Sequence, residues 1–295
     1  MTSSKPTWSR RAALLGVGSA GALLAACGRK AGAPAAPRGR MTLAQATAGE
    51  WRDPADKARD VWRHPAQSLD FWGLKPGMTV VELWPGAGWY TDIVAPYLAV
   101  NDGHLYAVQF QADDPTEPAA RQIVEAYKAK LASKPRLYGK VDVTSFGPSS
   151  GAIAPSGSAD LVLFLRNVHN WMAAGLIEKA FAEAYGALKP GGVLGVEEHR
   201  ADPGGIQDAL ATDGYVQEAY VKQLAGEAGF VFEADSEINA NPRDTKNYPF
   251  GVWTLAPTRL TAPRGDPADP DFDRAPYDAI GESDRMTLRF RKPAR

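Results

Sequence analysis

Short apolar runs alternate with amphipathic stretches along most of the chain. Thr79 to Leu83, rich in β-branched residues, and His104 to Phe110, Asp160 to Leu165 and Val193 to Glu197 are compact apolar runs, which predicts buried strands. Leu137 to Val143 reads as a weaker strand. Phe230 to Ile238 alternates apolar with polar, and Met286 to Phe290 alternates again, so these two are expected to pair antiparallel. Helical spacing fills the intervals. It covers about Trp89 to Leu98, then Pro115 to Ala132 with Ile123, Val124, Tyr127 and Leu131 on one face. It resumes from Met172 to Leu188, ended by Lys189-Pro190-Gly191-Gly192, and from Gly214 to Ala228. Ahead of the first strand, Asp53 to Trp72 is helical, with Asp53 as N-cap, Pro54 at the first helical position and a break at Pro65. Strands alternating with helices predict an α/β fold: a doubly wound, seven-stranded, mostly parallel sheet with an antiparallel terminal strand. One domain is expected over 49–295, with a proline-rich irregular insertion at about 239–285.

The N-terminus follows a different pattern. Ser9-Arg10-Arg11 precede an apolar run from Ala12 to Ala26 that is too short to span a bilayer. The paired arginines predict a twin-arginine export signal over 1–26. Leu24-Ala25-Ala26-Cys27 has the form of a lipoprotein cleavage box, with Cys27 as the acylated residue. Cys27 is the only cysteine of 295 residues, so an internal disulfide is excluded. An Ala/Pro/Gly-rich stretch within 27–48 is expected to be a flexible tether, placing the domain on the periplasmic side of a bacterial membrane. The formal net charge of −1 points to no nucleic-acid partner.

The chemistry is expected to gather around Val80-Val81-Glu82-Leu83-Trp84-Pro85-Gly86-Ala87-Gly88. A strand that ends on an acid and a glycine turn, then feeds a helix, lets a ligand approach the backbone at the strand's carboxyl end. The helix start favours an anionic group. Two further polar clusters follow strands: Arg166-Asn167-Val168-His169-Asn170 and Glu197-Glu198-His199-Arg200.

The first-strand motif together with Leu188-Lys189-Pro190-Gly191-Gly192-Val193-Leu194 resembles the class I S-adenosylmethionine-dependent methyltransferases. Glu82-Leu83-Trp84-Pro85-Gly86 and Arg166 to Trp171 resemble more narrowly a bacterial group of predicted, often exported, methyltransferases. The resemblance implies a Rossmann-like methyltransferase fold and S-adenosylmethionine as cofactor. It implies cofactor roles for Glu82, Gly86 and Gly88, and for Asp142 at the end of the third strand, near the adenine. His169 and Asn170 fall where catalytic or substrate residues sit. Two positions depart from the family. Trp84 stands where a glycine is usual; its indole either closes the methionine pocket or stacks on the sulfonium. Gln109 stands where an acid holds the ribose; as a neutral partner it binds a hydroxyl more weakly, and Asp113 or Asp114 is a candidate substitute.

His169 or His199 is a candidate base for the acceptor's proton. Glu197, His199 and His169 lack tight ligand spacing, so no metal is assigned. Trp84, Trp89, Tyr90 and Trp171 line an aromatic pocket or pack in the core, and Asn247 to Gly251 is a candidate cover. The expected function is methylation of a small-molecule acceptor. The alternative is a non-catalytic binding or scaffolding lipoprotein on the same fold.

Overall fold

The computed structural model describes residues 40–112 and 118–294. The export signal, Cys27 and the residues to 39, with Asp113 and Asp114, lie outside the described residues. Seven strands form one sheet: β1 (Thr79–Leu83), β2 (His104–Phe110), β3 (Val141–Phe146), β4 (Ala159–Leu165), β5 (Leu188–His199), β6 (Val231–Ser236) and β7 (Arg285–Arg291). Their order is β3-β2-β1-β4-β5-β7-β6. β1 to β5 pair in parallel, while β7 runs antiparallel to both of its neighbours. This is the doubly wound, mostly parallel sheet that the apolar runs predict.

Both faces are covered, as solidly apolar strands require. Val81, Leu83, Val162, Phe164, Leu194 and Val196 pack on one side with helix Ile177–Ala187. Val80, Leu105, Leu161, Leu163 and Val193 pack on the other, with helices Pro65–Phe71 and Thr91–Val100. Trp72 is fully buried there, its indole N–H donating to the Leu288 carbonyl. β5 offers Gly195 under that ring, where a Cβ would stand 2.6 Å from Trp72 Cγ.

β1 and β2 span the residues expected from the pattern. Several neighbours do not. β3 begins four residues late, because Pro135 starts a short helix, Pro135–Tyr138, with its fixed φ at the first position. Helix Met172–Leu188 is two helices, Val168–Ala173 and Ile177–Ala187, separated at left-handed Gly175. Lys189 to Gly192 opens the long strand β5 rather than closing a helix, with a register shift between Ala159 and Leu161 absorbing the extra residues. The expected tether ends sooner than 48. Helix Leu43–Thr47 opens on a Thr42–Gln45 capping box, and Ala46 is buried against the sheet's second core.

Candidate active site

Adjacent strands β1 and β4 both end on left-handed, non-glycine residues: Trp84 at φ 52° and Arg166 at φ 57°. For a bulky L-residue this conformation costs roughly 1–2 kcal/mol. A backbone bond to the next strand fixes each one. Trp84 N–H donates to Val108 O at 2.7 Å, and Arg166 N–H donates to Glu197 O at 2.7 Å. Strain held in this way by its surroundings concentrates at functional sites. Trp84 thus holds a left-handed backbone of the kind glycine adopts freely, and adds an indole.

That indole is anchored. Its N–H donates to Phe146 O at 3.0 Å, and its ring packs on Phe110, Phe146 and Trp171 at centroid distances of 4.7, 6.0 and 5.9 Å. It stands between two cavities. One, about 610 Å³, is lined by Trp84, Phe110, Phe146 and Ser149 at the ends of β2 and β3. The other, about 200 Å³, is lined by Glu82, Trp84, Trp89, Tyr90, Arg166 and Asn167. The indole lines both cavities and fills neither.

The other expected cofactor residues divide. Glu82 is buried under the small cavity and accepts from Thr91 Oγ1 at 2.7 Å. Burial pushes its carboxyl up to about 7, against the Thr91 hydrogen bond that lowers it. Gly86 has φ 58°, and a Cβ there would meet nothing within 4 Å, so open space adjoins the turn. Gly88 is the opposite case: Tyr127, Lys130 and Thr91 crowd it, the nearest atom 2.9 Å from a would-be Cβ. Lys130 caps the loop, donating to Ala87 O at 2.9 Å and pairing with Asp92 at 2.5 Å. Gln109 is fully buried. Its amide donates to Gly86 O at 2.8 Å, while its Oε1 lacks a hydrogen-bond partner among the described residues. Asp142 is a correction. With β3 shifted, it is the second residue of the strand, far from the carboxyl-end rim, and pairs with His104 at 2.9 Å. It lines neither cavity beside Trp84.

His169, Asn170 and His199 do come together. They line a third cavity of about 210 Å³, with Arg63, Arg166, Trp253, Thr258 and Glu282 among its other walls. Arg166 borders both this cavity and the small one beside Trp84. Glu198 organises the histidines. Its carboxylate faces His169 Nδ1 at 2.9 Å and accepts from the backbone N–H of His199 at 2.7 Å and of His169 at 3.3 Å. His199 Nδ1 faces Ser283 Oγ at 2.5 Å. Each ring is therefore oriented through Nδ1, and Nε2 is left open. Burial holds His199 well below the ordinary imidazole range, and the cationic Arg285 and Arg166 push the same way. Candidate ligand atoms of His169, Glu198 and His199 lie within 4.8 Å of one another, but Glu198 already serves as the orienting carboxylate. Glu197, expected in this cluster, faces the other way because successive strand residues alternate. It receives Arg166 at 3.0 Å and Tyr90 at 3.1 Å, with Arg285 at 3.3 Å.

Trp171 is fully buried core, not pocket wall. The insertion does reach the site, but through Val252 to Thr258 rather than Asn247 to Gly251. Sequence reasoning missed Arg63 altogether. Its only signal was an Arg59/Arg63 pair on one helical face, whose carboxylate partner Glu282 lies 219 residues further on.

No protein-family model and no curated protein sequence matches the chain. Solved structures do match. The cyclase SpnF covers 84% of this chain and 84% of its own at 16% identity and TM-score 0.50. An S-adenosylmethionine-dependent methyltransferase from Aquifex aeolicus shares 20% identity over 68% of this chain and 94% of its own, TM-score 0.48. One from Methanosarcina mazei shares 11% over 77% and 97%, TM-score 0.47. The fold is the Rossmann-like one of class I methyltransferases. A cyclase on the same fold means that function has to be argued from the site.

Proposed function

We propose that the protein is an S-adenosylmethionine-dependent methyltransferase acting on a small molecule. The observation that carries this reading is the groove around Trp84, which opens beside the Gly86 turn and adjoins a cavity holding two oriented imidazoles. The residues present fit the cofactor. The larger cavity offers Phe110 and Phe146 to a flat base, and the smaller one offers the Glu82 carboxylate to an ammonium. When bound, that group supplies an electrophilic methyl on a sulfonium. Placement then does most of the catalytic work. His169, oriented by Glu198, accepts a proton from a hydroxyl or amine acceptor through its open Nε2.

A ligand lying in both cavities has to pass the indole, and a sulfonium against that ring would gain a cation–π contact. Trp84→Ala is therefore expected to weaken S-adenosylmethionine more than the neutral S-adenosylhomocysteine, by about 0.5–2 kcal/mol, a few-fold to about thirtyfold. Calorimetric titration of both ligands checks this; equal losses for the two would remove the sulfonium contact.

We further propose that the domain is exported by the twin-arginine route and held at the envelope through acylated Cys27. The supporting pattern is the paired arginines before Leu24-Ala25-Ala26-Cys27. No helix among the described residues is long and apolar enough to cross a membrane. Cys27→Ser is expected to abolish metabolic labelling by palmitate and to release the protein from the membrane fraction. Unchanged labelling would place the lipid elsewhere.

A further inference from the structure

We propose that the cavity between the β4–β5 rim and Val252–Thr258 holds a small, partly apolar hydroxy or amino acid, its carboxylate gripped by Arg63 and Arg166 while its hydroxyl or amine would take the methyl and give its proton to His169 Nε2. This rests on the methyltransferase reading and names its substrate class. Each guanidinium is only half spent. Arg166 gives Nη1 to Glu197 at 3.0 Å, and Arg63 gives Nε to Glu282 at 2.8 Å. Arg166 Nε and Nη2 and both terminal nitrogens of Arg63 have no hydrogen-bond partner among the described residues. Arg63 is 4% exposed, with its guanidinium over the Trp89 ring at 4.8 Å, and both arginines line the cavity, which leaves these donors available to a ligand there.

The cavity's charge agrees. Two arginines and one glutamate line it. That glutamate, Glu282, is consumed by three guanidiniums: Arg59 and Arg63 through Nε at 2.7 and 2.8 Å, and Arg285 through Nη1 at 2.8 Å. His199 is neutral here. A carboxylate matches the planar forks of two arginines better than any neutral group does. Val252, Trp253, Ala256 and Pro257 add apolar surface to the lining. A volume of about 210 Å³ equals about seven waters at ~30 Å³ each, enough for one aromatic ring with its acid.

Benzoate and benzamide, alike in shape and different in charge, are the probes. Calorimetry with the purified protein is expected to give benzoate at least about tenfold tighter binding than benzamide. Arg166→Lys keeps a cation for Glu197 but loses the fork, and should weaken benzoate by about tenfold. Asn170→Asp is the second variant, because Asn170 is exposed at the cavity wall and its change spares the core. It should weaken benzoate and leave benzamide unchanged. Equal binding of the two probes, or benzoate affinity indifferent to both variants, would overturn the proposal. S-adenosylhomocysteine is titrated alongside. If it binds while benzoate does not, the acceptor class is wrong and the methyltransferase reading stands. If benzoate binds as expected and S-adenosylhomocysteine does not, the anion site stands and its role as acceptor site falls.

Discussion

Glu282→Ala is expected to cost about 3–5 kcal/mol of folding stability, because it leaves buried guanidiniums without their counter-charge. Glu282 is 2% exposed and is shared by Arg59, Arg63 and Arg285. Arg63 and Arg285 are themselves 4% and 1% exposed. The carboxylate ties the helices before β1 to the end of the insertion, and Arg63 and Glu282 both line the cavity that holds His169 and His199. A surface pair provides the contrast. Arg259 and Asp278 are also close, at 2.6 Å, but their side chains are 53% and 39% exposed. Breaking that pair should cost less than about 1 kcal/mol. Urea unfolding of both variants checks the difference: the Glu282→Ala midpoint should fall sharply with the slope unchanged. Equal, small shifts would mean that the buried cluster adds little to stability.

The second large effect is a pH dependence set by Glu82. Burial raises its carboxyl from 4.5 to about 7 in the folded protein. Between those values the folded state keeps a proton that the unfolded state has lost. The folded state thus binds more protons, and stability falls as pH rises through this window, by about 3 kcal/mol from this one group, then levels above 7. Glu82→Gln should flatten that arm in urea titrations at pH 5 and pH 8. An unchanged slope in the variant would assign the dependence to other groups. The same ionisation should matter to ligands. S-adenosylhomocysteine, whose ammonium would meet the ionised carboxylate, is expected to bind more tightly as pH rises through 7.

The parts of this molecule legible in its sequence are those fixed by local pattern. β1 and β2 are apolar runs bounded by turn residues, and the structure forms them over the same residues. β3 was not, because Leu137 and Tyr138 look like strand residues, whereas Pro135 commits them to a helical turn. That shift carried Asp142 away from the rim. Trp84 was legible as a departure from glycine. Its left-handed backbone and its division of the groove depend on Val108 and Phe146, which no local pattern connects to it. Glu198 was one step away in the sequence. Strand alternation turns it toward His169 and turns Glu197 toward Arg166. The arginine–Glu282 cluster was illegible, since its partners meet only when the insertion folds back on the helices before β1.

Electron density from a crystal of the protein grown with S-adenosylhomocysteine tests the central claim most directly. The account predicts the adenine beside Phe110 and Phe146, the homocysteine end over Glu82, and the Trp84 indole between them. An empty groove at saturating ligand, or a ligand bound away from Trp84, would contradict it.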